Sequence, residues 1–386
     1  MEKTSLVFTG DISFDRYMDG KWDDDNLLSD DIYTFLHSAD HVIANVEGPL
    51  VENQKNTATS GTAQLMHTMD PAVTKVLRKM GADIWNLCNN HIMDAGDMGL
   101  ASTLEEAARF GAHTIGVGMN LSEARTPLIL DEAGGIGLFG VGYQRGCKPA
   151  GEDHGGCLNW SDLDTIQGVI DEIKQTCRWC VIVAHAGEEF TSLPSPYTRD
   201  RYHKYLEMGA DIIVCHHPHV PMNYELVGDK AIFYSLGNFI FDTDYQRAHF
   251  NTDIGLLLKL SFTEKSFEFE PFGIKILRDT ERIVQTEIPR IFTDVPEQDY
   301  ELLAPLAAKM FISATKRQQI YLNRYEFENA TDEQWEAHFL QPIRSGRVPG
   351  EALDFHIVYP LAQKADEGAW KRSTLDDVKD YIIEQI

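Results

Sequence analysis

Cys180–Gly187 reads CVIVAHAG and Asp211–His219 reads DIIVCHHPH, with a helical pattern over Tyr197–Met208 between them. Each run is a β-branched, apolar strand candidate that ends in histidine, and strand–helix–strand alternation of this kind argues for a layered α/β domain. The alternation extends back to the start of the chain. Strand candidates lie at Ser5–Thr9, His41–Asn45, Asp83–Leu87, His113–Gly116 and Ile136–Val141, and another follows at Ala231–Ser235. Helix candidates at Pro71–Met80, Leu104–Phe110 and Asp162–Lys174 separate them, the first opened by Asp70 as cap and Pro71 in the first turn. Three helices run into Gly81, Gly111 and Gly209, the usual stop signal. From Ile254 to Ile276 the pattern (LLLKLSF, FEFEPFGIKI) is that of a closing antiparallel hairpin. Residues 1–279 are therefore expected to form the α/β domain. Beyond them, Pro296–Tyr325, Thr331–Arg344 and Leu375–Ile386 read as helices, so 280–386 is expected to be a mainly helical extension.

The chain has 386 residues, 43% of them hydrophobic and 24% charged, which is enough to bury a substantial core. Sixty Asp and Glu against 34 Lys and Arg leave a formal charge of −26. A surface that acidic repels nucleic acid and anionic lipid, so neither is an expected partner. The opening MEKTSLVFTGD lacks a signal-peptide apolar stretch, and no run approaches the ~20 apolar residues of a membrane span. A cytoplasmic location is expected. Six cysteines are too few and too scattered for a disulfide framework. Cys177 and Cys180 have CxxC spacing, but they sit where a helix hands over to a buried strand and read as packing residues.

In α/β sheets, function gathers just beyond the C-terminal ends of strands. Those ends carry Gly10-Asp11, then Asn45-Val46-Glu47-Gly48-Pro49, then Asn89-Asn90-His91 with Asp94 behind, then His185-Ala186-Gly187, His216-His217-Pro218-His219 and Gly237-Asn238. Singly, each has a bland reading. Asp11 suits a turn, Glu47 a solvated loop, Asn90 a left-handed turn position, and His185 a hydrogen-bonded core site. The histidine triplet resists that reading, because three imidazoles at the end of an apolar strand are costly to bury without a partner. If the segment is extended, His217 and His219 project alike and His216 opposes them. Together with Asp11, Glu47, Asn90 and His185 they make a mixed nitrogen–oxygen ligand set that suits Zn²⁺, Mn²⁺ or Fe.

The ordered motifs GDISFDR, NVEGPL, NNHIMDAGDMGL, HAGEEF, HHPHV and YSLGNFIFD resemble the bacterial capsule-synthesis CapA family over about residues 4–245. That family is linked to poly-γ-glutamate and belongs to the calcineurin-like metallophosphoesterases. The resemblance implies a layered metallophosphoesterase-like β-sandwich flanked by helices, with two divalent metal ions. It places the metal ligands on Asp11, Glu47, Asn90, His185, His217 and His219, with Glu47 bridging. It makes His91 the catalytic histidine and Asp94 its orienting partner. The broader pattern has Asp-x-His at the first strand, where this chain has Asp11-Ile12-Ser13, so one ion lacks an imidazole.

Arg16 and Glu189 are the expected substrate-binding residues. Arg16 lies inside the first motif, and Glu189 follows His185 closely enough to serve it as a hydrogen-bonding partner or to be a solvated acid. Arg145, Arg199, Arg201 and Arg247 read by default as surface residues. The expected function is a metal-dependent hydrolase acting on a small acidic or γ-glutamyl-type substrate, at an amide or a phosphoester bond. The rival is a non-catalytic, metal-stabilised component of a capsule or polymer assembly complex. A homo-oligomer is left open.

Overall fold

The two quoted runs become neighbouring parallel strands, with Val183 opposite Val214 and His185 opposite His216. The computed structural model describes residues 3–52, 66–143, 147–322, 329–331, 333–338 and 375–386. In chain order its first eight strands are β1 (Thr4–Ile12), β2 (His41–Val46), β3 (Ile84–Asn86), β4 (His113–Ile115), β5 (Val117–Gly118), β6 (Leu128–Leu130), β7 (Ile136–Gly142) and β8 (Gly156–Cys157). There follow β9 (Trp179–His185), β10 (Ile212–His216), β11 (Tyr224–Val227), β12 (Lys230–Phe233), β13 (Asn238–Ile240), β14 (Ile254–Phe262), β15 (Phe267–Leu277) and β16 (Arg282–Thr286).

Most of them form two sheets. The larger runs in the spatial order β16-β15-β14-β1-β2-β3-β4, with β13 also paired to β1; the smaller runs β11-β12-β10-β9-β7-β6. β1 to β4 are mutually parallel, as are β7, β9, β10 and β12. The expected hairpin is β14 and β15, paired antiparallel from Ile254 with Lys275 to Phe262 with Phe267.

Successive side chains on a strand face opposite ways, and here both faces are dry. Leu6, Phe8, Ile43, Val181, Val183, Ile212 and Val214 meet in one core between the sheets. Their neighbours Val7, Val42 and Ala44 join a second core, with Ile32 and Leu36 of α1 (Asp30–Leu36), Val76 and Leu77 of α2 (Thr74–Met80), and Leu100 of α3 (Gly96–Phe110). Cys180, Ile182, Ala184, Ile213 and Cys215 join a third core on the far side of the smaller sheet. The remaining helices in chain order are α4 (Leu121–Ala124), α5 (Leu163–Thr176), α6 (Pro196–Met208), α7 (Asp244–Arg247) and α8 (Glu297–Tyr321). Ile166, Val169, Ile170 and Ile173 of α5 and Tyr202, Tyr205 and Leu206 of α6 complete that third core. The result is a β-sandwich with helices on both outer faces, the layered α/β fold expected. Helices α2, α3 and α6 do end on Gly81, Gly111 and Gly209, with φ of 74°, 86° and 119°.

Residues Arg282–Thr286, which the sequence pattern assigns to the helical extension, form the edge strand of the larger sheet beside β15. α8 and the C-terminal helix Asp376–Ile383 pack together through Leu303, Leu306, Val378 and Ile382. Helical residues 333–338 fall within the expected Thr331–Arg344 helix, of which 332 and 339–344 lie outside the described residues, as does Arg145. All six cysteines are free thiols and buried, including Cys177 and Cys180.

Candidate metal centre

Parallel strands in register bring their C-terminal ends to one rim of each sheet, and the candidate ligands sit there. Asp11, next to last in β1, lies opposite Asn45 on β2 and Asn238 on β13. Glu47 follows β2, Asn90 and His91 follow β3, His185 closes β9, and His217 and His219 follow β10. One carboxylate oxygen, Glu47 Oε1, stands 3.7 Å from His219 Nε2, 3.8 Å from His185 Nε2 and 4.0 Å from His91 Nε2. His185 Nε2 is 2.7 Å from Asn90 Oδ1, and Asp11 Oδ2 is 3.1 Å from His219 Nδ1. Ligand atoms of Asp11, Glu47 and His185 lie within 4.8 Å of one another, and so do those of Glu189, His217 and His219. The fold thus brings all six expected ligand residues together, with Glu189 beside them.

Several donor atoms are buried and short of partners. Both Glu47 carboxylate oxygens and His217 Nδ1 are sealed from solvent without a hydrogen bond. Burial pushes the Glu47 carboxyl well above the usual range, against the pull of His219. Burial lowers the imidazoles of His185 and His217, with neighbouring histidine charge adding to the effect. His219 goes the other way: burial alone would lower it, but the Glu47 and Asp11 carboxylates raise it. Asp11 is held far below the ordinary value because contacts with His216 and His219 outweigh its burial. Burying polar donors without partners is costly, and a cation would offset that cost. Carboxylate, imidazole and amide oxygen donors fit a divalent transition ion.

The segment after β10 is not extended. His217 and His219 have φ of 96° and 59°, so the backbone winds through the left-handed region at both. The alternation that set His216 apart therefore does not apply, because it needs an extended chain. His216 Nδ1 in fact lies 3.5 Å from Asp11 Oδ1, and the residue is buried.

His91 Nδ1 bonds to Asp94 Oδ2 at 2.7 Å, leaving Nε2 facing Glu47. Burial and the charges of His67, His219 and His217 lower the His91 imidazole, while burial raises Asp94 to about 6. Sequence reading missed the pair that braces them. His67 donates its backbone N–H to the same Asp94 oxygen at 2.8 Å, and its ring meets His91 edge-on at 4.2 Å between centroids. Asp15 Oδ2 holds His67 Nδ1 at 2.9 Å. Asp15 stands inside the first motif and was a signal to follow; His67 lies in no motif. Asn45 and Asn238 were also missed as partners: Asn45 Nδ2 donates to Asp11 Oδ1 at 2.9 Å, and Asn238 Oδ1 faces His219 Nδ1 at 3.0 Å.

Arg16 stays close to Asp15, with Nε 3.8 Å from its carboxylate and Nη2 buried without a hydrogen bond. Glu189 bonds to Tyr245 Oη at 3.0 Å and Gln318 Nε2 at 3.4 Å rather than to His185. Arg199 is not a surface residue: it is buried in a bidentate pair with Glu225, at 3.1 and 2.6 Å, because β11 carries that acid beneath α6. Arg247 is likewise tied to Asp242 and Glu281.

Fold and site together define a helix-flanked β-sandwich protein with a carboxylate–imidazole cluster at its parallel strand ends. The family profile described as bacterial capsule synthesis protein PGA_cap matches residues 5–243. The chain belongs to that family. It is 31% identical over 276 residues to the PGA biosynthesis protein CapA of Bacillus subtilis, covering 70% of this chain and 71% of the relative. The capsule biosynthesis protein CapA of Bacillus anthracis is 26% identical, covering 64% and 62%. A solved 5'-nucleotidase from Candida albicans aligns over 72% of this chain and 52% of its own, at 12% identity and a TM-score of 0.43. Among the described residues no helix is long and apolar enough to cross a membrane.

Proposed function

We propose that the chain is a metal-dependent hydrolase of an acidic substrate, cutting an amide of the γ-glutamyl type or a phosphoester. The observation that carries this reading is the convergence of Asp11, Glu47, Asn90, His185, His217 and His219 from five strand ends around buried, unpartnered donor atoms. Those residues would hold two divalent ions, Zn, Mn or Fe. When bound, such ions supply a nucleophilic hydroxide at neutral pH and charge neutralisation for the oxyanion.

The chain's own residues do the rest. Asp94 fixes the His91 ring, so that Nε2 is the nitrogen presented to the cluster. Nε2 is thereby placed to hand a proton to the leaving oxygen or nitrogen of the substrate when the ring is protonated, or to hydrogen-bond the developing oxyanion. His67 and Asp15 brace that pair. Arg16, with a buried unpaired Nη2, is suited to a substrate carboxylate or phosphate. The names of the two Bacillus relatives, PGA and capsule biosynthesis, favour the amide. A cytoplasmic location belongs to the same reading, and six unpaired cysteines support it.

The test is hydrolysis of a γ-glutamyl anilide and of a chromogenic phosphodiester by protein stripped with chelator and reloaded with Zn²⁺ or Mn²⁺. Metal-dependent cleavage of either, lowered about 10²- to 10⁴-fold in His91→Ala, is expected. Metal uptake with no turnover of either, wild type and variant alike, would favour the non-catalytic assembly component instead.

A further inference from the structure

Glu189 occupies a position that its place in the sequence does not explain. It follows β9 by four residues, yet its hydrogen-bond partners are Tyr245 and Gln318, and its ligand oxygen lies within 4.8 Å of those of His217 and His219. The other three-residue cluster, Asp11, Glu47 and His185, shares no member with it. Two separate trios of mixed carboxylate and imidazole donors therefore stand side by side. His217 Nδ1 in the second trio is buried with no hydrogen bond, which is an unmet demand at the same place.

Glu189 is also held from outside. Tyr245 Oη and Gln318 Nε2 both donate to its Oε2, and Gln318 in turn contacts the Tyr245 hydroxyl. Donors fixed on one carboxylate oxygen leave the other free to bind and set the direction in which it points. The next residue, Phe190, has φ of 61°, a conformation disfavoured for a bulky residue. Its ring is locked by stacking on His249 at 3.7 Å between centroids, and its N–H donates to Pro218 O at 2.9 Å. Phe190 packs with Val220, Tyr245 and Ala314 in a small apolar cluster that ties the loop after β9 to α8. Tyr245, Ala314 and Gln318 all lie beyond residues 5–243, the stretch that matches the family profile.

We propose that Glu189 is a metal ligand, sharing one ion with His217 and His219, and that α8 sets the affinity of that position by holding the carboxylate through Gln318, which also contacts the Tyr245 hydroxyl of α7. This rests on the metal-binding reading above and adds to it: α8, outside the family-matched stretch, tunes one ion and leaves the other alone. The α8 region is then part of the metal centre rather than a buttress.

The experiment is calorimetric titration of the full, chelator-stripped chain with Zn²⁺, with elemental analysis after dialysis, for wild type, Glu189→Gln and Gln318→Ala. The wild type is expected to take up two ions. Glu189→Gln should retain one. Gln318→Ala should retain both, with one position weakened about 10-fold and the other unchanged. Circular dichroism and thermal melting in chelator establish that each variant is folded; if Glu189→Gln is not, Gln318→Ala carries the test alone. A wild type that binds fewer than two ions overturns the two-metal reading and this proposal with it. Two ions in the wild type, bound as tightly by Gln318→Ala or by folded Glu189→Gln, overturn this proposal only.

Discussion

Replacing Glu225 by glutamine should destabilise the fold in a way that depends on pH. Glu225 is buried on β11 and accepts from Arg199 Nε and Nη2 and from Tyr234 Oη at 2.8 Å, with His203 Nε2 at 3.0 Å. Burial alone would raise its pKa, but the bonds from His203, Arg199 and Tyr234 outweigh that and hold it at about 2, against an ordinary 4.5. A gap of about 2.5 in pKa, at ~1.36 kcal/mol for each whole step, corresponds to about 3 kcal/mol. The folded pKa is the lower one, so below 4.5 the unfolded chain takes up a proton that the folded chain refuses. The stabilisation is therefore complete above about pH 4.5 and fades as pH falls toward 2. Glu225→Gln lacks this dependence, because it leaves the Arg199 charge without its counter-ion at every pH, as the protonated wild type does only in acid. Urea unfolding of both proteins from pH 7 to 3.5 should show the variant weaker by at least about 3 kcal/mol at pH 7. The difference should shrink by about 1 kcal/mol between pH 4.5 and 3.5. Equal stability at pH 7, or a gap that does not change with pH, would refute the reasoning.

Three other outcomes follow from the site and its supports. His91→Ala should lower turnover by about 10² to 10⁴ with metal content unchanged in elemental analysis; loss of metal would move His91 into the ligand set. Asp15→Asn, which weakens the grip on His67, should cost about 10-fold in turnover with little change in KM, and an unchanged rate would remove the bracing role. Gly10→Ala would place a Cβ 2.3 Å from Gly237 O, where β13 crosses close to β1. It should cost about 1–3 kcal/mol in unfolding free energy, read from urea midpoints, and an unshifted midpoint would contradict that contact.

The parallel strands were legible in the sequence because both faces of each are buried, so they read as unbroken β-branched runs. Val181, Ile182 and Val183, divided between two cores, are the clearest case. Helix ends were legible where glycine takes the left-handed position, as at Gly209. The short helix Asp30–Leu36 was not: α2 is as short but is bounded by Pro71 and Gly81, whereas this one ends on His37 with no such stop signal. At the site, residues that lie at strand ends were legible, because parallel register alone carries them to one rim. Those that arrive by tertiary packing were not. His67 reaches His91 because its backbone N–H donates to Asp94 at 2.8 Å across 27 residues, a contact no local pattern announces. Gln318 reaches Glu189 across 129 residues through the docking of α8. The shape of His216–His219 was misread for a different reason: an extended run was expected after an extended strand, while His217 and His219 adopt positive φ.

Diffraction from crystals of the Zn²⁺-loaded protein, collected on either side of the zinc absorption edge, locates bound ions without reference to any activity. Two anomalous peaks are expected, both within the ring of Asp11, Glu47, Asn90, His185, His217 and His219, with Glu47 in contact with each. Anomalous density absent from that ring, or found only at surface histidines, would contradict a metal centre at these strand ends.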